Sequence, residues 1–323
     1  MARLAILSTG VLSAALSVRA WGNLGHETIG FVAQQFLAPK ALTFVQSTLN
    51  STWNFSLGPA AIWADQVKSE TAFKWSADLH FVDAQDSPLT GECSVDEQRD
   101  CADQDCILAA IANYTTRVVQ KGLAKEQTLE ALLFLGLCQP VSQNPRADCL
   151  STDHFLGDIG QPLHVEALEV GGNDISAKCS GESSTNLHAV WDTGMVTKHI
   201  DQAHGGTPQQ YAADLVAEIQ TGAFAAVAAS WLACSSTTEP LSARAAEPDF
   251  DSGPGAQLER ELTALARRAN DATAAAAITP LECPIVWARE SNAFDCTVVF
   301  NFTTGEDLCS GTYFDNAVPV AQL

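Results

Sequence analysis

Basic residues are scarce in this chain. Lysine and arginine together number 17 in 323 residues, against 38 aspartates and glutamates, for a formal net charge of −21, and no run of lysines and arginines occurs. A protein that grips nucleic acid through a basic face is thereby excluded. Bound divalent metals would reverse the sign locally, because they are often the largest charges in a site; simple solubility of an acidic protein accounts for the overall charge equally well. Cys-x-x-Cys is also missing, although the chain has ten cysteines. Behind a secretory leader they read as disulfides rather than as a thiol enzyme, and Cys101 and Cys106 are close enough for a local bridge. There is no internal repeat, and strand-like alternation is confined to short stretches such as 295–300. Beyond the leader, no apolar stretch is long enough to span a bilayer.

The leader itself is residues 1–20: Arg3, an apolar run from Leu4 to Leu16, then Val18-Arg19-Ala20 with a small residue at the cut. Cleavage after Ala20 leaves Trp21 with a free α-amine. That amine and its own carbonyl form a chelating pair, and His26 follows five residues on in Trp21-Gly-Asn-Leu-Gly-His26. Residues 21–323 suffice for a large core, and a composition 46% apolar and 17% charged is globular rather than disordered. Sequons at Asn50, Asn54, Asn113 and Asn301 fit a glycosylated, secreted product.

Helical spacing dominates. Apolar positions recur at a helical period over 27–47, 105–122, 126–137, 187–200 and 208–232, which predicts an all-α, mainly helical single domain with short hairpin elements. Two segments interrupt it. Residues 136–153, with two prolines, break the helix Glu130–Leu135, and 235–276 read as a surface excursion with one exposed helix at 256–276.

Histidine and aspartate carry the chemistry. His154-Phe-Leu-Gly-Asp158 and His188-Ala-Val-Trp-Asp192 each set an imidazole and a carboxylate at i, i+4, one turn apart on a helix face, where both reach one metal ion. His164, Asp65 and His80 complete the set. Imidazole mixed with carboxylate oxygen suits zinc. His199 and His204, in a polar, glycine-rich stretch, read as structural.

These motifs resemble the secreted zinc-dependent single-strand nuclease and 3′-nucleotidase family, which includes mung bean nuclease and the fungal single-strand nucleases; zinc phospholipase C is a more distant fold relative. The matching stretches are Trp21 to His26, Trp63-Ala-Asp65, His80-Phe-Val-Asp83, His154 to Asp158, Gln161-Pro-Leu-His164, Gly171-Gly-Asn173 and Asn186 to Asp192. The resemblance implies three zinc ions. One would take Asp65, His80, His154 and Asp158; a close neighbour the Trp21 amine and carbonyl, His26 and the bridging Asp158; the third His164, His188 and Asp192. It implies water activation with Asp65 orienting the nucleophile, in-line attack on phosphorus and a 5′-phosphate product. Lys68 would face the phosphate, Phe81 and Asp83 would form the base-recognition pair, and Asn173 would line the same pocket. Stacking on an aromatic needs an unstacked base, the physical source of a single-strand preference. Single-stranded DNA, RNA and 3′-nucleotides are the implied substrates of a monomer with no membrane attachment. By the same resemblance Cys93 pairs with Cys296 and Cys101 with Cys106.

Three departures from the family stand out. Residues 136–153 separate Leu135 from His154, where relatives run one continuous helix; they read as translated intron sequence, or else as a loop cinched by Cys138 and Cys149. Gly160 stands where a further histidine is usual. The chain stops at Pro319-Val-Ala-Gln-Leu323, where relatives continue into a final helix. Two other readings stay open on the residues: a phospholipase C-like zinc phosphodiesterase sharing the cage without the base pocket, and a zinc-binding protein without turnover.

Overall fold

The computed structural model describes residues 21–119, 122–135, 154–228 and 283–321. The leader at 1–20 and the segments 136–153 and 235–276, with the helix expected at 256–276, lie outside the described residues. The architecture is mainly helical, with one two-stranded antiparallel sheet among the described residues. Helices α1 (Asn23–Phe36), α2 (Pro39–Leu49), α3 (Leu57–Ala61), α4 (Trp63–Val67) and α5 (Glu97–Asp100) precede a longer pair, α6 (Ile107–Val119) and α7 (Lys125–Leu135). Then come α8 (His154–Ile159) and the hairpin β1 (Ser176–Cys179) and β2 (Glu182–Asn186). α9 (Leu187–Ala189) runs through a π-helical turn, Val190–Met195, into α10 (Val196–Ala203). α11 (Pro208–Gln220), α12 (Cys283–Asn292) and α13 (Gly311–Val320) follow.

Local chemistry explains several boundaries. The helix expected over 27–47 is two helices, because Pro39 forces Leu37 and Ala38 into extended backbone and then serves as the first residue of α2. The stretch 295–300 is not strand-like: Asp295–Val299 forms a π-helical turn with Val299 buried and Cys296 bonded to Cys93. A short apolar run of this kind suits either conformation, and tertiary packing decides. The hairpin turns at Ser180 and Gly181, whose φ values of 52° and 89° match the two left-handed positions of a tight primed turn. Asp307 accepts hydrogen bonds from both of their amides, and Cys179–Cys309 ties the hairpin to the C-terminal segment.

Two apolar clusters flank the centre of the molecule. In the first, Tyr114, Phe134 and Phe155 stack in succession, with ring centroids 4.9 and 5.2 Å apart; Leu49, Leu57, Ile107 and Leu132 surround them. The second gathers Trp21, Leu187, Trp191, Ile200, Leu308, Tyr313 and Ala317. α1 and the turn Pro162–Val165 contribute to both: Ala33 and Val165 enter one cluster, while Leu24, half-buried, packs on the other and Leu163 enters it. α1 crosses α3 so closely that a Cβ on Gly30 would stand 2.7 Å from the Leu57 carbonyl. That contact fixes the depth at which α1 presents His26.

Candidate metal centre

Eight of the predicted ligands converge between the two clusters. His26 comes from α1, Asp65 from α4 and His80 from the end of the turn Lys74–His80. His154 and Asp158 come from α8, His164 from Pro162–Val165, His188 from α9 and Asp192 from the π-helical turn. All eight are at most 7% exposed. Their ligating atoms form three sets, each within 4.8 Å: His26, His154 and Asp158; Asp65, His80 and His154; His164, His188 and Asp192. His154 thus stands between the first two sets, its ring stacked on His26 at 3.9 Å.

Asp158 spans them. Its Oδ1 lies 3.2 Å from His26 Nε2, while Oδ2 lies 2.9 Å from His80 Nδ1 and 3.2 Å from His154 Nε2. Asp65 Oδ1 is 3.8 Å from His80 Nδ1 and 3.7 Å from His154 Nε2. In the third set, Asp192 lies 3.2 Å from His188 Nε2 and 3.7 Å from His164 Nε2. Trp21 is buried at the head of α1, and the next amide, Gly22 N–H, donates to the Asp192 carbonyl at 2.5 Å. The segment that leads into α1 is therefore tied to the third set.

Main-chain carbonyls fix the imidazoles. His154 Nδ1 meets the Ala61 carbonyl at 2.6 Å, His164 Nδ1 the His80 carbonyl at 2.8 Å, and His188 Nδ1 the Gly171 carbonyl at 2.6 Å. A carbonyl only accepts, so each Nδ1 carries the proton and each Nε2 presents its lone pair to the cluster. His164 Nε2 and His188 Nε2 are buried without hydrogen-bond partners. Burial, and after it the Lys68 charge, lowers the His80 pKa to about 3. Burial lowers His26 and His164 as well. For Asp65, burial pushes the pKa up, but His154, Lys68, His26 and His80 outweigh it and hold the carboxyl at about 2. Burial also acts to lower His154 and His188, but Asp158 with Asp65, and Asp192, outweigh it and raise both. A metal would therefore find three rings favoured neutral and displace protons from the other two.

The donors fit zinc. Among Asp65 Oδ1, His80 Nδ1, His154 Nε2 and Asp158 Oδ2, the separations above run from 2.9 to 3.8 Å. With ligands at about 2.0–2.1 Å, the edge of a zinc tetrahedron is about 3.3 Å, inside that range. His164 Nε2, buried with no hydrogen-bond partner, would recover its desolvation cost on a metal ion.

The remaining predicted residues lie around this centre. Lys68 Nζ pairs with Asp65 Oδ1 at 2.6 Å. Phe81, half-buried, and Asp83, exposed, follow His80 on an extended segment held against the site by Val82 N–H donating to the His164 carbonyl at 2.9 Å. Partial desolvation raises the Asp83 pKa, helped by Asp78 and Asp100. Asn173 sits on the loop that supplies the Gly171 carbonyl, and it accepts from Asn186 at 3.4 Å. Gly160 is exposed, and a Cβ there would meet only the Gly157 and Leu156 carbonyls, at 3.4 and 3.6 Å. Of the sequons, Asn50, Asn54 and Asn301 are exposed and Asn113 is half-buried on α6. Gln161 gains a role only in the folded chain. Its buried Nε2 donates to Asp192 Oδ1 at 2.6 Å, and its Oε1 accepts from Leu163 N–H, so it orients both Asp192 and the His164 turn.

A family model described as S1/P1 Nuclease matches residues 21–323. The chain belongs to the S1/P1 nuclease family. It is a hydrolase of the nuclease class. Nuclease P1 of Penicillium citrinum is 40% identical over 221 residues, covering 68% of this chain and 75% of its own. Nuclease S1 of Aspergillus oryzae is 32% identical over 328 residues, covering 99% and 92%. Endonuclease 2 of Arabidopsis thaliana is 34% identical over 202 residues, covering 59% and 61%. With that membership the nuclease reading prevails over the phospholipase-like one.

Proposed function

We propose that this protein is a secreted, monomeric three-zinc endonuclease that cuts single-stranded DNA and RNA to 5′-phosphate products and also hydrolyses 3′-nucleotides. The observation that carries the reading is the convergence of eight buried His and Asp donors into three sets, the first two sharing His154 and spanned by Asp158. Asp65, His80, His154 and Asp158 would hold one ion, the Trp21 amine and carbonyl with His26 and Asp158 a second, and His164, His188 and Asp192 the third. Bound there, zinc supplies an activated water and a clamp on the phosphoryl oxygens.

The chain's own groups do the rest. Asp65, ionised and held by Lys68, accepts a hydrogen bond from the attacking water and orients it toward phosphorus. Lys68, anchored at that carboxylate with part of its side chain exposed, faces the phosphate. Phe81 offers a ring face to a base, and Asp83 an acceptor to its edge. Asn173 lines the same pocket from the opposite loop. A base must leave its stack to lie on Phe81, which disfavours duplex. Three disulfides among the described residues and three exposed sequons support export. No helix among the described residues is long and apolar enough to cross a membrane.

The test is Asp65→Asn in zinc-loaded protein, assayed for kcat on single-stranded DNA with zinc content measured alongside. We expect kcat to fall by at least about 10²-fold. Activity at the wild-type level would overturn the role given to Asp65, and a wild-type protein without turnover would overturn the reading as a whole.

A further inference from the structure

A second pair of imidazoles converges away from the eight donors. His199 on α10 and His204 at its C-terminal cap bring their Nε2 atoms to 3.1 Å. On the far side of the His204 ring, Nδ1 lies 2.6 Å from Asp214 Oδ2 on α11, and Asp214 Oδ1 accepts from Gln210 Nε2 at 2.8 Å. The buried Tyr211 ring packs against both imidazoles, at 5.3 Å from His199 and 4.4 Å from His204. Gly205 and Gly206, at φ 65° and 74°, turn the chain behind His204, and Gly206 N–H donates to the Ile200 carbonyl at 3.1 Å.

Asp214 fixes the tautomer. It accepts from His204 Nδ1–H, so the neutral ring directs its Nε2 lone pair at His199. His199 Nε2–H donates to that lone pair at 3.1 Å, so an ion would take the place of the shared proton; the spacing is about one edge of a zinc coordination sphere, for ligands at about 2.0–2.1 Å. A carboxylate behind a ligating imidazole is the usual outer partner that orients the ring and raises its basicity. We propose that His199 Nε2 and His204 Nε2 form an additional site for one divalent transition-metal ion, such as zinc, with Asp214 as the positioning carboxylate and water completing the sphere. The ion would staple the last turn of α10 to its own cap, and Asp214 on α11 would hold that cap from outside.

The experiment counts ions on the full chain at one buffered free zinc concentration, by native mass spectrometry, for wild type, His199→Ala, His204→Ala and Asp214→Asn. We expect each histidine variant to hold one ion fewer than wild type, with hydrolysis of single-stranded DNA retained. Asp214→Asn keeps both rings and opens no cavity, so it reports even if a histidine variant fails to fold; it should bind that one ion about 10- to 100-fold more weakly. Because the readout is a difference between variants, it stands whatever the number of ions at the main centre. Equal ion counts and equal affinities across wild type and the folded variants would overturn the site.

Discussion

Gly171→Ala should damage the third set of ligands without touching a ligand. Gly171 sits at φ 57°, and a Cβ there would stand 2.5 Å from the Leu163 carbonyl, 3.3 Å from the Glu166 carbonyl and 3.4 Å from His188 Nδ1. The left-handed backbone alone costs about 1–2 kcal/mol with a Cβ. The collision with Leu163 adds about 1–3 kcal/mol, because the obstacle is backbone and one of the two chains must move. Either displacement reaches a ligand: Leu163 precedes His164, and the Gly171 carbonyl holds His188 Nδ1. Gly91→Ala separates the two costs. Gly91 has φ 82° and open space around its missing Cβ, so only the backbone cost applies. Thermal melts of both variants with and without zinc, and a zinc titration by native mass spectrometry, make the comparison. We expect Gly91→Ala to lose about 1–2 kcal/mol and keep its zinc affinity. Gly171→Ala should lose roughly twice that, with one ion bound about 10- to 100-fold more weakly. If the two variants matched in stability and in zinc affinity, the role given to the Gly171 carbonyl would be refuted.

Asp295 has both carboxyl oxygens buried without a hydrogen-bond partner, and burial, then Glu166 and Asp86, raise its pKa well above the ordinary value. The folded state therefore keeps a proton that the unfolded state releases near pH 4, and stability falls as pH rises from there through the folded pKa, by at most about 1.4 kcal/mol per pH unit; Asp295→Asn should flatten this limb in denaturant titrations, and an unchanged limb would sink the assignment. Tyr313→Phe should cost about 1–3 kcal/mol for each group it orphans, since the hydroxyl accepts from Trp191 Nε1 at 2.8 Å and donates to the Val299 carbonyl at 2.7 Å; a neutral change in the melting temperature would contradict that pairing. Binding of single-stranded DNA should weaken with salt along a log–log slope shallower than about −3, the value for four neutralised phosphates, and a steeper slope would reveal a basic face that the composition does not provide.

The ligands were legible because their spacing is a helix property. His154 with Asp158 and His188 with Asp192 needed only the period of α8 and α9, and the intervening π-helical turn leaves the second pair at 3.2 Å. The carbonyls of Ala61, His80 and Gly171 were not legible, because every residue offers a carbonyl and only the packed fold selects three. A short hairpin was expected, but its place was not legible: Glu182–Asn186 is polar throughout, so no alternation marks it, and Cys179–Cys309 joins residues 130 apart. His199 and His204 read as structural because they lie in a polar, glycine-rich stretch; Asp214, the carboxylate that His204 meets, belongs to the next helix.

The acidic composition and the polyanionic substrate are reconciled at the centre rather than over the surface. Asp65, Asp158 and Asp192 are the charged members of the donor set, and the five histidines bring no charge as ligands. With the three divalent ions proposed above, three carboxylates would leave a surplus of about three positive charges in a buried cluster, where screening by salt is weak. A chain at −21 would then present its positive field where a phosphate must sit and repel phosphates elsewhere. Such a field would favour a strand thin enough to bring one phosphate into the cluster, with the adjoining base on the proposed Phe81 face, which Val82 tethers to the His164 turn. When the ions leave, Lys68 and His154 offset the Asp65 and Asp158 charges, so metal binding would release protons and its affinity should fall as pH drops.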